Sequence, residues 1–157
     1  MTVLMSLLAI LVMVVVDQVV KYWAVSMLAP MGSIPLIPNV LQLTYVENRG
    51  AAFSILQDQI WLFVLLAVAI LCGIGYVLCT GRIQHILGKF SLLVIAAGAV
   101  GNTLDRVLHH YVIDMIEVRF IQFPVFNIAD IYVTVGVALF AVYYLFLHKD
   151  AEDLEKK

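Results

Sequence analysis

Residues 60–79 read IWLFVLLAVAILCGIGYVLC, twenty positions without a charged side chain. A helix crossing a bilayer needs about 20 mostly apolar residues, so this stretch predicts a membrane span. Working outward, three more segments have the same character: residues 3–28, 88–106 and 128–148. Of the 157 residues, 64% are hydrophobic and 13% charged. Soluble domains carry about 25% charged residues. The expected fold class is an α-helical integral membrane protein, a single membrane domain over 1–157. It has four transmembrane helices and a small extracytoplasmic β-sheet region. The first segment lacks the basic n-region of a cleaved signal peptide and continues past Asp17 and Lys21, so it is read as a span.

Two longer connections, 29–59 and 107–127, fall on one side. Pro30, Gly32, Pro35 and Pro38 exclude a continuous helix in the first. Leu41 to Tyr45 alternates apolar with polar, the period of a half-buried strand. A second β-like run extends from Val112 to Ile121, and the two are suited to pair. The short loop and tail on the other side hold Arg82, Lys89, Lys149, Lys156 and Lys157. Lys21, Arg49, Arg106 and Arg119 lie on the side of the long connections. This slight bias places both termini in the cytoplasm and the long connections outside.

Charge beside a span is costly and calls for a reason. In this topology Asp17 and Lys21, Asn48 and Arg49, Asn102, Asp105 and Arg106, Asp114, and Asn127 with Asp130 all fall at one membrane level. Gly98, Asn102 and Asp105 share one helical face, as do Asn127, Asp130 and Thr134. Gly98 and Gly101 allow another helix to approach closely. Several chemistries are poorly supported. His85 and His148 sit at the opposite end from His109 and His110, so no imidazole set converges on a metal. Ser54 lies in no G-x-S-x-G. Cys72 and Cys79 are too far apart on one helix for a disulfide and read as packing residues. No zinc-finger or nucleotide-binding spacing is present, and no nucleic acid partner is expected.

Two carboxyl groups sharing a site are better supported. Like charges a few Å apart cannot both ionise, so one keeps its proton while the other takes one from water. Such a pair hydrolyses a peptide with no cofactor. Asp17, Asp105, Asp114 and Asp130 are all candidates. Lys21 lies one turn from Asp17 and Arg106 follows Asp105, so those two read as ion-pair members. Asp114 and Asp130 lack an adjacent base and are better placed to share a proton. Their plainer readings are a solvated loop carboxylate and a helix cap.

Five blocks carry a resemblance. They are Asp17-Gln18-Val19-Val20-Lys21, Glu47 to Ser54 (ENRGAAFS), Gly98 to Arg106 (GAVGNTLDR), Val112-Ile113-Asp114-Met115 and Phe123 to Asp130 (FPVFNIAD). In this order and spacing the chain resembles the lipoprotein signal peptidases (signal peptidase II). The resemblance implies four transmembrane helices with a small extracytoplasmic sheet, in a bacterial cell membrane. It implies an aspartic endopeptidase that cuts a prolipoprotein just before its diacylglyceryl-modified cysteine, with lipids as neighbours and a monomeric state. It matches Asp114 and Asp130 to the catalytic aspartates. It matches Asn48, Gly98, Asn102, Asp105, Arg106, Asn127, Asp17 and Lys21 to supporting or substrate-binding positions. Ala97 stands where the family often has Gly, and Met115 where it often has Phe; both substitutions keep size class or apolarity.

The remaining expectations are structural. Tyr22, Trp23, Trp61, Tyr143 and Tyr144 read as interfacial anchors, and Met5, Met13 and Met27 as packing. Arg49 is a candidate headgroup contact. Phe53 reads either as a lid over the site or as a membrane-surface anchor. A transporter using the same carboxylates would show paired repeats and polar groups at mid-membrane, and neither is present in the sequence. A scaffold without chemistry leaves two unpaired aspartates at one level unexplained.

Overall fold

The computed structural model describes residues 3–50 and 59–148. Four helices in it are long and apolar enough to cross a membrane. Helix α1 covers Val3–Trp23 and continues through a π-helical stretch, Ala24–Leu28, to Met31. Helix α2 is Ile60–Cys79 and α3 is Ile86–His109. Helix α4 is Ile128–Val142, prolonged by a π-helical stretch to Leu147. Strands β1 (Ser33–Ile37), β2 (Leu41–Asn48) and β3 (Val112–Val118) form an antiparallel sheet in the order β1-β2-β3.

Burial explains why the spans differ in composition. Ile74 is the one buried residue of α2, so its charge-free sequence faces lipid over most of its surface. Half of the most apolar stretch of α3 is buried, because α3 packs against α1, α2 and α4. A helix shielded by protein tolerates the polar groups that lipid would reject. Along α1 the buried positions are Val14, Asp17, Lys21, Ala24 and Leu28. Their spacing of three and four residues makes one stripe, which turns toward the rest of the bundle.

Glycines set the helix separations. A Cβ on Gly98 would collide with the Ala129 carbonyl oxygen and approach Val133 Cγ2 to 2.8 Å. A Cβ on Gly101 would lie 2.6 Å from Asp17 Oδ2. The small residues thus bring α4 onto α3, and α1 beside it.

The sheet pairs the two runs expected to pair, with Leu43 opposite Ile116 and Asn48 opposite Val112. A register shift between Leu43 and Val46 leaves Val46 opposite Asp114. Asn48, two residues on, shares the face that Asp114 uses.

Several readings need correction. The first span runs to Met31 rather than Leu28, passing Pro30 within its final turns. The third is longer than 88–106 and closes at His110, whose φ of 65° is left-handed. Strand β3 stops at Val118 rather than Ile121, because residues 119–122 turn away with the Arg119 N–H donating to the Val40 carbonyl. Strand β1 was not anticipated; Pro35 lies in it, tolerated because β1 is an edge strand. Tyr22, Trp61 and Tyr144 are exposed as anchors should be, but Tyr143 is 1% exposed. Its hydroxyl meets His148 Nδ1 at 3.0 Å and its ring stacks on His85. Cys72, Cys79, Met5 and Met27 face outward from their helices rather than packing inside. Phe53 and Ser54 lie outside the described residues.

Candidate active site

At the sheet end of the bundle a buried ion cluster joins α1 to α3. The Lys21 ammonium lies 2.9 Å from Asp17 Oδ2 and 2.9 Å from Asp105 Oδ2. All three side chains are at most 1% exposed. The Asp17–Lys21 pair expected from one-turn spacing is therefore present. Asp105, by contrast, takes Lys21 from another helix as its ion partner instead of its sequence neighbour Arg106. Successive helix residues point about 100° apart and do not face each other. Gln18, not singled out beforehand, donates to Asp105 Oδ1 at 2.9 Å and to the Gly101 carbonyl at 3.3 Å. A polar residue in an apolar span next to Asp17 was the signal for it.

Both carboxylates also hold backbone. Asp17 Oδ1 accepts from the Ala129 N–H at 3.0 Å, and Asp105 Oδ2 accepts from the Ile113 N–H at 3.1 Å. These are the residues immediately before Asp130 and Asp114.

Asp114 and Asp130 are drawn together by two asparagines. Asn127 caps α4 in a capping box with Asp130: its Oδ1 accepts from the Asp130 N–H at 2.9 Å, and Asp130 Oδ2 accepts from the Asn127 N–H at 3.2 Å. Its Nδ2 donates to Asp114 Oδ1 at 2.6 Å and to Asn102 Oδ1 at 3.1 Å. Asn102 Nδ2 in turn donates to Asp130 Oδ1 at 2.7 Å. Asn48 completes the set, donating to Asp114 Oδ2 at 2.9 Å. The helix cap expected at Asp130 is Asn127 instead; Asp130 is its partner three residues on and uses one oxygen for that contact. Asp114, read as a possible solvated loop carboxylate, is 1% exposed.

Strand geometry explains why Asn127 arrives here. Phe126 pairs with Ile116 across a short bridge, the Ile116 N–H donating to the Phe126 carbonyl at 2.8 Å and the Phe126 N–H returning to Ile116 at 3.0 Å. The chain entering α4 thus runs beside β3, and Asn127 lands next to Asp114.

Burial pushes the Asp114 carboxyl up to about 7. The hydrogen bonds from Asn48 and Asn127 and the charge of Lys21 oppose the rise, while the charge of Asp130 adds to it. Both aspartates open on one cavity of about 400 Å³, shared with Asn48, Asn102 and Arg106 and walled by apolar residues including Phe123, Phe126 and Ile131. That size suits a small segment of ligand. Arg106 donates to the Asn102 and Gly50 carbonyls at 3.4 and 3.5 Å, and its guanidinium lies 4.8 Å from the Phe63 ring centre on α2. Phe63 gave no sequence signal, since one aromatic in an apolar span is unremarkable. Gly98 takes its place through helix packing, and Arg49 is exposed beside Glu47.

Comparisons with known proteins agree with this arrangement. Residues 9–146 match the family model described as signal peptidase (SPase) II. A lipoprotein signal peptidase of Streptococcus pyogenes serotype M5 (strain Manfredo) is 45% identical over 136 residues, covering 86% of this chain and 89% of that protein. A lipoprotein signal peptidase from serotype M18 (strain MGAS8232) is equally similar. Among solved structures, one titled as a bacterial membrane enzyme structure at 2.3 Å resolution superposes with a TM-score of 0.85 at 32% identity. It covers 99% of this chain and 94% of the other. A second such structure, at 1.9 Å, has a TM-score of 0.82 at 32% identity, covering 92% and 95%. A bundle of four apolar helices, a three-stranded sheet at one end and this breadth of similarity lead to one conclusion: the chain belongs to the signal peptidase II family, bacterial multi-pass membrane proteases that remove the signal peptide from prolipoproteins.

Proposed function

We propose that Asp114 and Asp130 form the catalytic dyad of this peptidase, working at the extracytoplasmic face of the membrane with both termini in the cytoplasm. The observation that carries the reading is Asn127, which contacts both aspartates while both open on the same cavity. One proton resides on the pair and belongs to the pair rather than to either residue. The ionised carboxylate takes a proton from a water molecule, whose oxygen attacks the scissile carbonyl carbon. The protonated carboxyl gives its proton to the carbonyl oxygen, leaving a gem-diol. Collapse of that diol breaks the C–N bond as a carboxyl proton reaches the departing amine. Arg106 and the carbonyl of Gly50, at the cavity rim, are suited to hold the substrate backbone.

The substrate reading is a prolipoprotein cut just before its diacylglyceryl-modified cysteine, by a monomer surrounded by lipid. The apolar wall around the aspartates and the lipid-facing surface of the bundle support it. The test is cleavage of a lipidated precursor peptide and its unlipidated counterpart by the purified, reconstituted protein. The expected product is cut on the N-terminal side of the modified cysteine, with kcat/KM for the unlipidated peptide lower by about 100-fold, since remote binding energy is spent on orientation. Equal rates on both peptides would remove the lipid-dependent reading.

The pH profile is a second expected result. An exposed aspartate loses its proton near 4, whereas the Asp114 carboxyl holds it to about 7. The singly protonated pair is the working form. Activity therefore falls as pH rises through about 7, tenfold per unit, and falls again on the acid side when both carboxyls are protonated. A rate that stays flat from pH 6 to 9 contradicts the shared proton.

A further inference from the structure

The Lys21 ammonium has three protons and no acceptor. They meet three oxygens: Asp17 Oδ2 at 2.9 Å, Asp105 Oδ2 at 2.9 Å and Asn102 Oδ1 at 3.0 Å. Each contact leads toward the pair of aspartates by a different route. Asp17 holds the N–H of Ala129, the residue before Asp130. Asp105 holds the N–H of Ile113, the residue before Asp114. Asn102 donates to Asp130 itself. One buried cation on α1 thus ties together the supports of α4 and β3, the two elements that carry the aspartates.

The third contact decides an orientation. With its Oδ1 turned to Lys21 and to Asn127 Nδ2, Asn102 must present Nδ2 to Asp130. The flipped amide would set donor against donor at Lys21 and Asn127. It would also set oxygen against oxygen at Asp130. The ammonium therefore selects the rotamer in which Asn102 is a donor to the carboxylate. A cation serving only to neutralise a buried charge would need one carboxylate. Here two are held, and each also accepts from the backbone of a different element, Asp17 through its other oxygen and Asp105 through the same Oδ2 that meets Lys21. Gly101 is part of the same construction, because a Cβ there would lie 2.6 Å from Asp17 Oδ2.

We propose that Lys21 is a positioning residue for the peptidase reaction: it keeps the backbone before both aspartates in place and orients the Asn102 amide toward Asp130. The proposal rests on the dyad reading of Asp114 and Asp130. Besides holding geometry, Lys21 places positive charge near the pair. The other charged groups around Asp114 are Asp130 on α4 and Asp105 and Arg106 on α3.

Two full-length variants separate alignment from simple stability. Asp17→Asn/Lys21→Met keeps the net charge of the cluster at −1, since one acid and one base leave together, so no extra carboxylate is stranded. Lys21→Arg keeps the cation but replaces three tetrahedral donors by a planar fork. Both are assayed on the lipidated precursor peptide after reconstitution, with folding followed by monodisperse elution and thermal unfolding. The folded double variant should show kcat lower by about 100-fold, the usual effect of a 1 Å misplacement, with KM within about threefold. Its alkaline pH limb should move up by about one unit, because of the two charges removed it is Lys21 that acts on the Asp114 carboxyl and favours its ionised form. Lys21→Arg should leave that limb in place while kcat falls by about tenfold through lost alignment. A parental kcat in the folded double variant overturns the proposal, as does a lowered kcat with no movement of its pH limb. Failure of both variants to fold overturns it too, since Lys21 would then be required for the bundle and not for alignment. Asp114→Asn and Asp130→Asn run in the same assay keep the two readings apart: activity retained there removes the dyad itself, whatever the Lys21 variants do.

Discussion

Asparagine in place of either Asp114 or Asp130 is expected to lower kcat by about 1,000- to 10,000-fold, the range of a lost general acid or base. The protein should remain folded in both cases, because asparagine keeps the shape and part of the hydrogen bonding. At position 114 two donors, Asn48 Nδ2 and Asn127 Nδ2, point at the carboxyl group. An amide can accept from one of them and loses the other, at a cost of about 1 kcal/mol. Against that, the buried acid is itself a burden at neutral and alkaline pH. Its folded pKa of about 7 lies above the unfolded value, so the unfolded chain ionises first. Stability falls as pH rises between about 4 and about 7. Asparagine does not ionise and escapes that loss. At position 130 one acceptor is kept for either the Asn127 N–H or Asn102 Nδ2. Thermal unfolding in detergent checks the fold, and a gel-shift assay of precursor cleavage checks the rate. A variant that cleaves at the parental rate shows that its carboxyl group takes no part in the chemistry.

The second large effect concerns packing, and it has opposite outcomes at two glycines. Gly98→Ala is expected to destabilise the protein by about 3 kcal/mol and to reduce activity by more than about tenfold, at the upper end of what overpacking costs. The new Cβ meets the Ala129 carbonyl oxygen, which is backbone and cannot rotate away, as well as Val133. Relief requires α3 and α4 to separate. Separation stretches the 2.7 Å contact from Asn102 to Asp130, so stability and rate should fall together. Gly75→Ala in α2 places its Cβ where nothing lies within 4 Å. There alanine gains helix propensity, worth about 1 kcal/mol, and leaves cleavage unchanged. Unfolding temperatures of the two variants in one detergent decide the matter. Equal stability of Gly98→Ala and the parent would mean that the helices are not in the contact described.

How much of this was legible beforehand depended on which environment each residue faces. Helix α2 was read to its last residue because lipid imposes one simple requirement, apolar side chains on every face. The limits of α3 were read short because Lys89, Asp105 and Arg106 look like the edge of a span. Asp105 is tolerated within the helix because Lys21, from another helix, neutralises it. Tyr143 matches an interfacial anchor in composition and position, yet neighbouring His85 and His148 draw it inside. Strand β1 was hidden by Pro35, which is a poor strand residue everywhere except at an edge.

The chain alone determined that four apolar stretches would cross a bilayer, and that acids and amides would gather at one end of them. Both follow from the cost of placing charge or unpaired backbone in hydrocarbon, which acts locally along the sequence. Only the tertiary structure decided which groups became partners. Asp17 reaches Ala129 across 112 residues and Asn48 reaches Asp114 across 66. Hydrogen-bond partners are selected by distance and angle in space, and neighbours such as Asp105 and Arg106 point different ways on the same helix.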